Sequence, residues 1–364
     1  KAWYSDAERI GKQYRVSAFP TYVFLAPDGR LTHVAKGYQP AAKFVSQAKI
    51  AVKPGQVYAN KYEEYETLLA EYKSGLKKYD RMVSMINTAI EIRDAETFKQ
   101  LTWEYVYYLE RVKPEVLYTR ENIWFMSRRL GPKTLRSRPK LFEVFVTNAK
   151  KVDKVMGLNG YADNILSRVI FQEIAVPEIG VKQPLMVRGI PPIDSTEADW
   201  EKLYKKISGS FNSRVSERAL LDIKIAWYES HFNYLLFAKA YVEKLERYGI
   251  DTVSDRDISN IHPMIVNHSC WTIFEKVEDP QLLSRAADQM KALIQVTPGN
   301  YQYIDTYANL LYRARRKDEA MSWQEKAIAM ANEKQSRRSV ELYGSVLAKM
   351  RSGEPTWPIK KDKP

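Results

Sequence analysis

Cysteine is almost missing from this chain of 364 residues. Cys270 stands alone, which excludes an internal disulfide, a C-x-x-C redox pair and a cysteine-built zinc cluster within the sequence. Histidine is scarce too: His33, His231, His262 and His268 are scattered without ligand spacing, and no metal or other cofactor is expected. Glycine (15) and proline (17) are sparse while 45% of residues are hydrophobic, a composition that excludes a low-complexity or disordered protein. Long apolar runs are also missing. The longest uncharged ones resemble Thr21–Pro27 in length, short of the ~20 residues that a membrane-spanning helix needs. Acidic residues are outnumbered, 44 against 57 Lys and Arg, leaving +13 spread along the chain. The length leaves room for roughly two or three domains. Lys1 opens the sequence with no signal-like stretch behind it, and an upstream portion of the polypeptide is expected.

Composition changes at Lys53-Pro54-Gly55, where proline and glycine both discourage a continuing helix. Before this point the pattern reads helix, strand, turn, strand, helix. Ser5-Asp6-Ala7-Glu8 starts a helix that runs toward Tyr14. Thr21-Tyr22-Val23-Phe24-Leu25 is a strand apolar enough to be buried on both faces. Pro27-Asp28-Gly29 makes a turn, and Leu31-Thr32-His33-Val34 pairs back as the second arm of a hairpin. Pro40 then opens a helix over Ala41–Val52.

The run Tyr14-Arg15-Val16-Ser17-Ala18-Phe19-Pro20-Thr21-Tyr22-Val23-Phe24-Leu25, followed by Asp28-Gly29 and Gly37, resembles the C-terminal half of a thioredoxin fold. The resemblance covers about residues 5–52. It implies that Pro20 is the cis proline of that family and that the backbone of Phe19 pairs with a substrate peptide. Phe19, Pro20 and Thr21 are then the expected substrate-binding residues. The earlier strand–helix–strand portion, which carries the redox cysteines of the family, is not in this sequence, so no residue here is assigned to catalysis. An isolated two-stranded hairpin is marginal in water, and the apolar strand is expected to need a partner sheet, from upstream sequence or from another chain.

Beyond residue 53 helical periodicity dominates. Tyr62, Tyr65, Leu68, Leu69, Tyr72, Leu76 and Tyr79 fall at steps of three and four. Further helices are expected around Met82–Ile90, Phe98–Leu109, Leu141–Val155, Tyr161–Ile174, Ala198–Ile207, Arg218–Tyr248 and Pro263–Val277. Longer loops are expected at Gly131–Pro139 and Pro177–Asp194. A period of 34 then emerges: Ile273, Phe274 and Val277 recur as Tyr307, Ala308 and Leu311, Ala286 as Ala320, and Leu293-Ile294 as Ala327-Ile328. This resembles the tetratricopeptide repeat, which implies a right-handed stack of helix pairs with a concave face. The expected fold class is mainly α. A partial α/β thioredoxin-like segment occupies 1–52, an irregular helical domain 53–268, tetratricopeptide-like helix pairs 269–350, and a basic tail 351–364.

Other candidate sites read as structural. Cys270 and His268 lie two apart on one helix, so they point apart, and a lone cysteine is a small buried hydrophobe. Glu63-Glu64 and Asp318-Glu319 read as solvated helix faces. Gly157-Leu158-Asn159-Gly160 reads as a helix C-cap and turn. The segment from Arg128 to Lys140 holds six basic residues and no acidic one. It reads as a solvated basic loop, with a polyanion as the alternative occupant, and no nucleic-acid module accompanies it. The 24 tyrosines and 8 tryptophans fall on more than one helix face, as in Trp103-Glu104-Tyr105-Val106-Tyr107-Tyr108, so some are expected to line a protein contact surface.

The thioredoxin resemblance implies thiol–disulfide exchange on protein substrates in the bacterial cell envelope, periplasmic or outer-membrane-associated, with the redox cysteines upstream of Lys1. The alternative is a non-catalytic helical-repeat scaffold or accessory subunit of an envelope protein complex with a degenerate thioredoxin fold; the alternative location is cytoplasmic. Protein or peptide clients are the expected partners in either case.

Overall fold

The computed structural model describes residues 2–14, 16, 18–54, 61–180, 197–250 and 263–358. The chain is mainly helical and divides into two compact units, Lys1–Tyr105 and Val106–Pro364. The first unit therefore holds the hairpin segment together with the first helices that follow it.

In the first unit, α1 (Ala2–Gln13) leads to β1 (Thr21–Leu25) and β2 (Leu31–Lys36), followed by α2 (Ala41–Ala51), α3 (Lys61–Lys73), α4 (Met82–Glu91) and α5 (Ala95–Arg111). Helix α5 continues past the unit boundary. Strands β1 and β2 pair antiparallel with Tyr22 opposite Ala35 and Phe24 opposite His33. Pro27 and Asp28 form the turn: the Gly29 amide donates to the Ala26 carbonyl at 2.9 Å. Gly29 has φ +82°, which L side chains rarely adopt. Alternation along β1 puts Tyr22 and Phe24 on one face, where both rings meet Phe44 of α2, with centroids 5.0 and 5.9 Å away. Opposite them in the ladder, His33 shares a 2.7 Å hydrogen bond with Gln47 of the same helix.

The expectation that β1 is buried on both faces is corrected. Thr21, Tyr22, Val23 and Phe24 are only half-buried and Leu25 is exposed: α2 packs on the face of Tyr22 and Phe24, while on the other face Thr32 is buried and Val23 and Val34 stay half-buried, as a sheet of only two strands allows. The end of β2 is anchored to the helices of this unit. Glu91 at the end of α4 takes both the Lys36 ammonium at 2.9 Å and the Tyr62 hydroxyl of α3 at 2.7 Å.

The second unit runs through α6 (Arg120–Arg129), α7 (Pro132–Arg136), α8 (Pro139–Thr147), α9 (Ala149–Met156) and α10 (Tyr161–Ile170). A π-turn over Phe171–Ala175 carries the chain into α11 (Val176–Ile179). Pro177 sits at the start of α11, and the widened turn is one way to pass a residue with no backbone donor. Then follow α12 (Trp200–Ser208), α13 (Ser213–Ser230), α14 (Tyr234–Tyr248), α15 (Pro263–Lys276), α16 (Pro280–Val296), α17 (Tyr301–Arg313), α18 (Lys317–Glu333) and α19 (Arg337–Ser352).

Two helices expected to be continuous are each divided. The stretch Leu141–Val155 breaks at Asn148, between α8 and α9. The stretch Arg218–Tyr248 breaks at His231–Asn233, where Phe232 takes a left-handed φ of 57° and the Asn233 side chain accepts from the Leu236 amide at 3.2 Å. An asparagine is a strong helix start, and here it outweighs the apolar periodicity on either side. The Gly131–Pro139 loop is also corrected, because α7 occupies most of it. Pro132 and Pro139 each open a helix at its first turn, where the missing donor costs nothing. Most of the expected Pro177–Asp194 loop lies outside the described residues.

From α15 to α19 each helix packs on the next, and α15 also packs on α17. The positions spaced by 34 form this core: Ile273, Phe274, Tyr307, Ala308, Leu311, Ala286, Ala320, Leu293 and Ala327 are fully buried. Alanine at 286, 320 and 327 has no bulk beyond Cβ, so neighbouring helices come close there.

Candidate functional site

The free edge of β1 is the feature that the first unit leaves open. The Gly37 amide donates to the Pro20 carbonyl at 2.8 Å, and Tyr22 and Phe24 face Ala35 and His33. In an antiparallel ladder alternate residues point their backbone groups the other way, so Thr21, Val23 and Leu25 present theirs away from β2. Among the described residues β1 pairs with β2 alone. The Phe19–Pro20 bond is cis, and the Thr21 hydroxyl donates to the Ala18 carbonyl at 2.6 Å. Phe19 is 89% exposed, an aromatic ring with no cover from its own unit.

The three expected substrate-binding residues therefore lie together by sequence at the start of an open strand edge. Sequence reasoning missed Tyr38, 82% exposed, one residue beyond Gly37 at the same end of the hairpin. The signal available in the sequence is an aromatic directly after the strand-ending glycine.

The remaining candidates divide. Cys270 is fully buried, its thiol is pushed up to about 12 by burial, and its nearest polar contact is the Ala286 carbonyl at 3.9 Å; it carries little thiolate at neutral pH. His268 is exposed, while His231 stacks on Trp227 at 4.0 Å with Nδ1 2.7 Å from the Trp227 carbonyl. His262 lies outside the described residues. Among the described residues no three His, Cys, Asp or Glu side chains converge to hold a metal ion.

Glu63 and Glu64 are exposed. Glu319 is different from the solvated residue expected: its carboxylate accepts from Arg316 at 2.6 and 3.0 Å and from the buried Tyr307 hydroxyl at 3.1 Å. Gly157 ends α9 with φ +69°, and the Leu158 amide reaches back to the Asp153 carbonyl at 3.0 Å, the pattern of a Schellman cap. Asp153 also turns its carboxylate onto the start of α10, accepting from the Gly160 and Ala162 amides at 2.7 and 3.0 Å. That helix start already holds a negative group.

The basic segment Arg128–Lys140 is not a solvated loop. Of its six basic residues only Lys133 is exposed. Arg138 pairs with Glu110 at 3.1 Å and lies over the Tyr107 ring at 5.6 Å. Lys140 donates to the carbonyls of Glu110, at 2.9 Å, and Val112. Arg129 covers the Trp124 ring at 4.7 Å. Folding thus commits half of this charge, Arg129, Arg138 and Lys140, to internal partners, which a count of basic residues cannot reveal. No described helix is long and apolar enough to cross a membrane. No protein family, curated protein or solved structure matches this chain.

Proposed function

We propose that this chain holds polypeptides in extended form along the free edge of β1, as part of a thioredoxin-like domain. Thiol–disulfide exchange on the bound client would use cysteines of a portion upstream of Lys1, since Cys270 is too buried to attack. The single observation that carries this reading is the unpaired edge of β1 next to the exposed Phe19. Thr21, Val23 and Leu25 offer an incoming strand a row of backbone donors and acceptors, and Phe19 offers an apolar anchor. The order of helix, hairpin and helix around Pro20 supports the thioredoxin kinship. The packing of α15 on α16 and α17, with the positions spaced by 34 buried at the contacts, supports a tetratricopeptide-like region that keeps partner proteins close. Residence in the bacterial envelope belongs to the same proposal.

The test is binding of an extended, cysteine-blocked client such as carboxymethylated α-lactalbumin, followed by fluorescence anisotropy. Phe19→Ala and Thr21→Pro should each weaken binding several-fold, the second by removing an edge donor. Binding unchanged in both variants would overturn the reading. Insulin reduction by the protein with its upstream sequence attached then decides the redox half: no activity leaves a non-catalytic holder of extended chains.

A further inference from the structure

After α19 the chain turns back onto the end of α17. Gly353 closes α19 with φ +80°, and the Glu354 amide donates to the Lys349 carbonyl at 2.9 Å, so the helix stops and the chain changes direction. The residues that follow meet α17. The Tyr312 hydroxyl donates to the Glu354 carbonyl at 3.1 Å. The centre of the Trp357 ring lies 6.2 Å from that of Tyr312 and 4.9 Å from the Arg313 guanidinium. That guanidinium is itself held in place, because it also donates to the Phe274 carbonyl of α15. Tyr312 is buried, and Pro355, Thr356 and Trp357 are half-buried.

The contact reads simple chemistry: an accepting carbonyl at Glu354 and an aromatic ring three residues later at Trp357. Tryptophan is the ring that draws a guanidinium most strongly. Pro355 and Pro358 bracket it, and their fixed φ lowers the cost of ordering the segment. The seat is nevertheless imperfect. The hydroxyl of Thr356 is shut off from water with no hydrogen-bond partner. A buried polar group left unsatisfied costs free energy, so this residue weakens the hold of the tail on α17.

We propose that the Tyr312–Arg313 end of α17 is a docking site for a proline-bracketed tryptophan segment of a partner polypeptide, with residues 353–358 as the strap that fills it in cis. The chemistry of the partner is read from the tail seated there: a carbonyl for Tyr312, a tryptophan for Arg313, and an apolar residue where Thr356 stands. A tethered occupant acts at an effective concentration of about millimolar, so a partner has to out-compete it. The unpaired Thr356 hydroxyl lowers that barrier. The site lies within the second unit and does not depend on the edge of β1. The chemistry is reversible binding and requires no bond making.

The experiment uses the full chain and a fluorescein-labelled synthetic peptide with the sequence of Gly353–Pro358, followed by fluorescence anisotropy. Trp357→Ala empties the site and should bind the peptide about tenfold or more tightly than the parent chain, whose own strap competes. Trp357→Leu serves if the alanine variant does not fold, because leucine keeps apolar bulk and loses the attraction to the guanidinium. A peptide with alanine in place of the tryptophan should not bind. One with valine in place of the threonine should bind several-fold more tightly, since it buries no orphan hydroxyl. Arg313→Lys, added to Trp357→Ala, should weaken peptide binding several-fold, because an ammonium cannot stack on the ring as a planar guanidinium does. No peptide binding to the emptied chain, equal binding to parent and variant, or equal binding of the alanine peptide would overturn the site. A parent chain that dimerises in sedimentation, and loses the dimer in Trp357→Ala, would give the tail to a second copy and overturn the strap in cis.

Discussion

Asp305 shows what burial does to one side chain. It lies buried in α17 and accepts hydrogen bonds from Gln324 at 2.8 Å and Asn309 at 3.3 Å. Desolvation pushes its carboxyl up to about 6 from an ordinary 3.8, against the two amides, which favour the charged form. The folded chain therefore keeps this proton to higher pH than the unfolded chain does. Between about pH 4 and 6 the native state binds more protons at this site, so its contribution to stability declines as pH rises through that window and levels off above about 6. Asp305→Asn should flatten this part of the profile, measured as the urea midpoint from pH 4.5 to 7.5. An unchanged slope would remove Asp305 as its source.

Among the elements, helix ends carry more of the design than helix middles. Asp153 closes α9 through its carbonyl and opens α10 through its carboxylate, so one residue sets the angle of a two-helix corner. Asp153→Ala should destabilise the second unit by about 1–2 kcal/mol, the usual cost of losing a cap, with Asp153→Asn recovering part of it in thermal or urea unfolding. The hairpin shows the opposite condition. Its turn, ladder and contact with Phe44 are complete, yet among the described residues β1 has one unpaired edge and its side chains stay half-buried or exposed. Natural proteins usually protect such edges, which supports the proposal that this one takes an occupant.

For the molecule as a whole, a net charge of +13 invites a search for a polyanion surface, and the Arg128–Lys140 segment was the obvious place. With Arg138, Lys140 and Arg129 committed to Glu110, backbone carbonyls and Trp124, heparin retention should barely change in Arg138→Gln. The same variant should lower the unfolding free energy by roughly 1 kcal/mol, the scale of a partly exposed ion pair. A steep loss of heparin retention without loss of stability would restore the surface reading.

The mainly helical class, the hairpin over Thr21–Leu25 and its Pro27-Asp28-Gly29 turn, and the 34-residue spacing of the C-terminal core were all legible from residue order. Each rests on local physics: periodicity, turn propensity and the size of side chains at a fixed interval. The breaks at Asn148 and Phe232, the helix inside Gly131–Pro139, the half-buried state of β1 and the partners of the basic segment were not legible. They depend on which distant groups meet, as Glu110 meets Arg138. A string of residues records how many charges there are; three-dimensional packing settles which of them find a counter-charge, because that choice is made between helices far apart in the chain.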